Sequence, residues 1–297
     1  MEREQLPAES LTTGIPVSVR PAGDEGTGNA ISFIIATLGT DYEDAVERLQ
    51  AIRRSVKRAK QHVQSLPRED PGHDHGLTEV NGKKVVSFLP WHFDHSYNDE
   101  LNYAGVLRAV VAAPVDGRTG FSDGIELYKA MDPAIIRKIE NLNAIYTLDV
   151  RLSQIRFGRY FKTFGDTERD RANTEVISIF PRAIHPMILS RPSGEKVAHF
   201  CGFSAVGIEG HEDAEGDAIF EEAMQELNRK VNPYWHEWRP TDLVIWDNHR
   251  MLHAVEGCDP KYDRRTIRST IKGDYGLGYF EDGKKIGEVF REVEPIE

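Results

Sequence analysis

The pattern of apolar and polar positions changes character near residue 65. From Asp41 to Gln64, Ala45, Leu49, Ile52, Val56, Ala59 and Val63 fall near helical spacing and predict a long helix. The segment opens acidic at Asp41, Glu43 and Asp44 and closes basic at Lys57, Arg58 and Lys60, which suits the helix macrodipole at both ends. Ahead of it, ISFIIATL is an apolar run of strand length. Behind it, SLPREDPGHDHG, rich in Pro, Gly and charge, predicts a linker.

Beyond the linker, short strands alternate with helices. KKVVSFLPWHF and NYAGVLRAVVAA predict strands, and FSDGIELYKAM and DPAIIRKIENLNAIY predict two short helices. The second of these opens on Asp132 as N-cap, with Pro133 in the first turn. AIHPMILS and KVAHFCGF predict strands and EGDAIFEEAMQELNRKV a helix. DLVIWDNHRMLHAVEG and RRTIRSTIKGDY then give two strands around the loop CDPKYD. Strands framing a few helices point to an α+β chain built on a double-sheet barrel of the jelly-roll type, with flanking helices. No internal repeat is apparent.

Composition narrows the partners. The 297 residues are 39% hydrophobic and 29% charged, as in a folded soluble chain, and 37 basic against 48 acidic residues give a net charge of -11. Such a surface disfavours nucleic acid and anionic membranes. No apolar run reaches membrane-helix length, and the acidic opening MEREQLPAES shows no signal peptide. Cys201 and Cys258 form no CxxC pair and read as small buried hydrophobes, which fits a cytoplasmic setting. Oligomeric state is left open, a homo-oligomer included.

The candidate chemistry sits late in the pattern. Two histidines and one carboxylate on one face of an iron leave positions open for further ligands. A His-x-Asp at a strand end directs both side chains to one side, and WHFDHSY supplies His92 and Asp94, with WDNHRMLH supplying His253. A second His-x-Asp, His211 and Asp213, lies in a polar loop before a helix, where Asp213 reads as a cap. His95 is expected to face away from His92 and Asp94 by strand alternation. In DRRTIRSTI, Arg264 and Arg268 share a strand face opposite Arg265. An inward guanidinium needs an anion, such as the distal carboxylate of an oxoacid; the plainer alternative is an outer-strand arginine bonded to Asp259 or Asp263.

The segments WHFD, PVDGRTGFSDGIELYKAM, AIHPMILSRPSGEK, VIWDNHRMLH and RRTIRSTIKGD resemble, in order and spacing, the TauD/TfdA family of taurine and phenoxyacetate dioxygenases. The resemblance covers roughly residues 71–290. It implies an Fe(II)- and 2-oxoglutarate-dependent dioxygenase that uses O2 and hydroxylates a small organic acid, a carboxylate or sulfonate. It makes His92, Asp94 and His253 the iron ligands, Thr119 and Arg264 the holders of the 2-oxoglutarate carboxylate, and Arg268 the contact for the acidic group of the substrate. One position departs: His249 follows the WDN triplet where the family often has arginine. It is expected to support the site or face outward rather than ligate.

The front of the chain differs. IPVSVR, GNAISFIIATLGTD and DAVERLQAIRRSVKRAK resemble an internal stretch of the wax ester synthase/diacylglycerol acyltransferase family, without its HHxxxDG signature. This divides the chain into a foreign strand–helix segment over 1–67 and a dioxygenase domain over 68–297 that lacks its usual opening elements. A joined chain of this kind leaves a competing reading, an impaired remnant that binds metal without turnover. It also leaves a sheet edge or core face of the barrel to be covered.

Overall fold

In the computed structural model the described residues are 12–18, 31–37, 42, 44–65, 76–164, 180–273 and 276–284, with only the backbone described for 12–18, 31–37, 45, 58–65 and 272. The linker, with His73 and His75, lies almost wholly outside them. At the front, β1 (Thr12–Ser18) and β2 (Ile31–Thr37) pair antiparallel. Helix α1 (Ala45–Ser65) follows, capped by Asp44 Oδ1, which accepts from the N–H groups of Val46 and Glu47.

Two sheets position the site. One runs in the order β14 (Tyr234–His236), β7 (Thr119–Asp123), β16 (Met251–Val255), β5 (Leu89–His92). The other runs β15 (Leu243–Asp247), β6 (Asn102–Val111), β17 (Arg265–Lys272). Phe121 of the first packs with Leu107 and Trp246 of the second in one apolar cluster, so their inner faces meet. Gly105 pairs directly with Trp246, and a Cβ there would come within 2.0 Å of the indole. Only glycine lets that ring lie flat across β6.

A third sheet, β13 (Ala205–Ile208), β8 (Asn143–Tyr146), β10 (Ala183–Pro186) and β18 (Tyr279–Phe280), shares the main core. The helices α2 (Gly124–Ala130), α3 (Pro133–Ile139) and α4 (Ala214–Lys230) bury Leu127, Ile136, Phe220 and Leu227 in the same core. A smaller sheet joins β4 (Lys83–Val85), β3 (Thr78–Val80) and β9 (Phe161–Thr163), and β11 (Ile188–Ser190) pairs with β12 (Lys196–Ala198). All strand pairings among the described residues are antiparallel, in a mixed α/β chain with few helices.

Several local expectations need correcting. KKVVSFLPWHF is two strands, because Ser87 adopts φ 61 and breaks the ladder. FSD belongs to β7, and Asp123 caps α2 instead of lying inside it. The helix begun at Asp132 stops at Ile139, and NAIY forms β8 in the core. DLVIWDNHRMLHAVEG is β15 and β16, which lie in the two facing sheets and are joined by a turn over 248–250. Leu243, Ile245, Ile267 and Ile271 stay about half exposed or more on the outer side of β15 and β17. Among the described residues, α1 does not bury them, and its own Val46 and Leu49 remain exposed.

Candidate metal centre

His92 is the last residue of β5 and pairs across to His253 on β16, which pairs in turn with Phe121 on β7. Directly opposed residues share a sheet face, so both imidazoles project inward. Their ring centroids are 4.1 Å apart. Asp94 lies two residues beyond His92, past the end of the strand and in a turn. One ligand atom from each of His92, Asp94 and His253 can be chosen so that all lie within 4.8 Å of one another, and all three residues are buried. Among the described residues no other such group of His, Cys, Asp or Glu occurs.

The donor atoms suit a divalent ion. His92 Nδ1 lies 2.8 Å from the Pro90 carbonyl; donation there leaves Nε2 with its lone pair free. His253 Nε2 stands 3.7 Å from Asp94 Oδ1, while Asp94 Oδ2 is buried with no hydrogen-bond partner among the described residues. Burial lowers the pKa of His92, and burial together with the neighbouring His92 lowers that of His253 to about 3. Both imidazoles are therefore neutral near pH 7. Burial would raise the Asp94 carboxyl, but Arg268, His253 and His92 outweigh it and hold it below its ordinary value. Two neutral imidazoles and an ionised carboxylate with an unused oxygen are what a metal needs.

The second half of the site lies one residue pair along the same face. Thr119 pairs with Val255 as Phe121 pairs with His253, so its side chain is displaced from His253 by two residues, ~7 Å along the strands. Arg264, only 3% exposed, precedes β17 and reaches this point. Its Nε donates to the Gly117 carbonyl at 2.8 Å and its Nη2 to Thr119 Oγ1 at 3.4 Å. Gly117 has φ 73, and a Cβ there would press on Arg264 Cδ at 3.1 Å. Neither Asp259 nor Asp263 pairs with Arg264, and Glu256 is held in a two-point pair by Arg118. Arg264 thus has no ion-pair partner among the described residues. Trp238, missed in the sequence, donates from Nε1 to Thr119 Oγ1 at 2.9 Å.

Arg268 is half-buried and donates from Nη1 to Asp94 Oδ1, which pairs a guanidinium with the carboxylate of this candidate ligand. His249 is neither outward-facing nor in the donor cluster: it is 1% exposed, and its ring stacks 6.3 Å from that of His199. His95 does not follow strand alternation, since β5 has ended and its φ is 63. Asp213 caps α4, its Oδ1 accepting from Glu215 and Gly216 N–H. Cys201 and Cys258 are free and buried. A cleft of about 520 Å³ opens on the reverse of the β7–β16 sheet between Trp91, Trp235, Phe88 and Ala254, and none of the candidate site residues lines it.

The buried imidazoles make acid stability predictable. His253 and His199 are both held near pKa 3, mainly by burial, and stay neutral in the fold while the unfolded chain protonates them below pH ~6.5. The unfolded state then binds more protons, so stability present above pH ~6.5 is lost on acidification. Each contributes about 2 kcal/mol of loss between pH 6.5 and 5. Urea melts of metal-free protein at the two pH values should show it, and an unchanged midpoint would contradict it.

Comparison with known proteins agrees with this geometry. The family model for taurine catabolism dioxygenase TauD, TfdA family, matches residues 39–270. An (S)-phenoxypropionate/alpha-ketoglutarate-dioxygenase of Sphingobium herbicidovorans is 29% identical over 186 residues, 63% of each chain. An alpha-ketoglutarate-dependent 2,4-dichlorophenoxyacetate dioxygenase of a Burkholderia species is 27% identical over 204 residues, 67% of this chain and 64% of its own. The chain thus spans somewhat less than two thirds of the length of these relatives. Separately, a Mycobacterium tuberculosis protein provisionally named a diacylglycerol O-acyltransferase is 47% identical over 68 residues, 23% of this chain and 14% of that one. By the family match over most of its length, the chain belongs to the TauD/TfdA family.

Proposed function

We propose that this chain is an Fe(II)- and 2-oxoglutarate-dependent dioxygenase, with His92, Asp94 and His253 as the iron ligands on the inner wall of a double-stranded β-helix barrel. The observation that carries this reading is a buried guanidinium, Arg264, with no ion-pair partner among the described residues, held at Thr119, which lies one residue pair from His253 on the same sheet face. A five-carbon diacid has the reach to engage the metal at one end and Arg264 at the other. Iron with 2-oxoglutarate and dioxygen supplies decarboxylation of the oxoacid to succinate and carbon dioxide, coupled to hydroxylation of a C–H bond.

The protein contributes charge and geometry. Arg264 and the Thr119 hydroxyl receive the distal carboxylate in a site closed to water, with Trp238 fixing the Thr119 oxygen. Trp246 and Phe121 flank His253 with ring centroids 4.8 and 6.3 Å away, keeping the metal face dry. Arg268 faces the centre and is the proposed contact for the carboxylate or sulfonate of a small-molecule substrate, and relatives named for phenoxyalkanoic acids support an anionic substrate. The division at residue 67 and a cytoplasmic setting belong to the same proposal.

Anaerobic addition of Fe(II) and 2-oxoglutarate to folded protein should produce a weak visible charge-transfer band, and air should then yield succinate. No band would overturn the assignment. A band without succinate would favour the impaired remnant, a reading that draws on the acyltransferase-like front of the chain.

A further inference from the structure

Asp94 has a difficulty that His92 and His253 do not share. The two histidines are fixed by strand ladders, but Asp94 lies beyond β5, followed by His95 at φ 63, so no ladder holds its backbone. A single side chain substitutes for one. Asp94 N–H donates to Asn248 Oδ1 at 2.9 Å, and Asn248 Nδ2 donates back to the Asp94 carbonyl at 3.0 Å. The amide thus makes the paired bonds that a neighbouring strand would make.

Asn248 is itself held on every side. It is 0% exposed. Its own N–H donates to the Tyr103 carbonyl at 2.9 Å, its carbonyl lies 2.9 Å from His199 Nε2, and its Nδ2 also reaches Asn102 Oδ1 at 3.2 Å. It stands in the turn joining β15 to β16, where the two facing sheets connect, five residues before His253. One short segment therefore supplies one candidate ligand and pins another.

We infer that Asn248 is a positioning residue for the metal centre: its carboxamide fixes the main chain of Asp94 so that the carboxylate meets His92 and His253 at ligating distance. This rests on the reading of Asp94 as a ligand. An amide is required because the job needs one acceptor and one donor side by side on the same carbon. Partners of ligands that act this way alter metal affinity by about 10- to 100-fold when removed.

The test uses Co(II), titrated by its visible absorption into the full metal-free chain, alongside melting of the same metal-free samples. Asn248→Ala should weaken Co(II) binding by about 10- to 100-fold and change the band shape in protein that is still folded. Asn248→Asp keeps size and acceptor but loses the donor, and should also weaken binding, which covers the case in which the alanine variant does not fold. A purely structural role would lower the melting temperature and leave the Co(II) spectrum and affinity of the folded fraction as in the parent, and that result overturns the inference. If the parent itself gives no Co(II) bands, or His92→Ala leaves them unchanged, the metal centre fails and this inference fails with it.

Discussion

Replacing His253 with alanine should abolish retention of Fe(II) and lower succinate formation by at least ~100-fold, more than loss of a residue that merely supports a ligand. The expectation follows from the donor count. With His253 gone, one imidazole and one carboxylate remain, and Arg268 already competes for Asp94 Oδ1. The imidazole is 4% exposed between Trp246 and Phe121, so its removal also leaves a cavity, at a stability cost of about 2–4 kcal/mol. His253→Gln nearly preserves the volume and separates the two effects: it should keep most of the stability and still lose the metal. His249→Ala is the contrast, since His249 is as deeply buried but stands outside the donor cluster. Iron content after gel filtration, measured with melting curves, decides the matter. A folded His253→Ala chain that retains iron would eliminate the centre.

How much of this was legible beforehand differs by element. Helix α4 and the cap of α3 were readable because their signals are local: Asp213 and Asp132 sit at N-caps, with apolar residues at helical spacing behind them. His92, Asp94 and His253 could be proposed because a strand-end His-x-Asp has a geometric meaning and because the family pattern extends far along the chain. The connection from Asp94 to Asn248 could not. It depends on the chain leaving the strand at His92 and turning through a positive φ at His95, which strand periodicity does not encode. Trp238 was missed for a related reason, because its contact with Thr119 joins segments 119 residues apart. The short buried strands β8 and β13 show too few residues for alternation to register. NAIY followed a helix closely enough to be read as its continuation.

The arginine pocket offers the second large effect. Arg264→Ala should weaken 2-oxoglutarate binding by about 30- to 1000-fold, corresponding to about 2–4 kcal/mol for removing one partner of a buried, hydrogen-bonded charge pair. In the metal-free chain Arg264 bears a cost: burial lowers its pKa, and its bonds go to a carbonyl and a hydroxyl, with no carboxylate among the described residues to neutralise it. A distal carboxylate would relieve that cost, so the pocket should bind a diacid more tightly than a monoacid. Arg264→Lys should recover only part of the loss, because a lysine cannot reproduce the planar fork shared between Gly117 and the incoming anion. Arg118→Ala removes a guanidinium that is already paired with Glu256, and it should leave 2-oxoglutarate binding within a few-fold of the parent. The Kd from the anaerobic charge-transfer band measures all three. Equal affinity in the Arg264→Ala chain would mean that the oxoacid binds elsewhere, and the spacing between His253 and Thr119 would then lose its meaning.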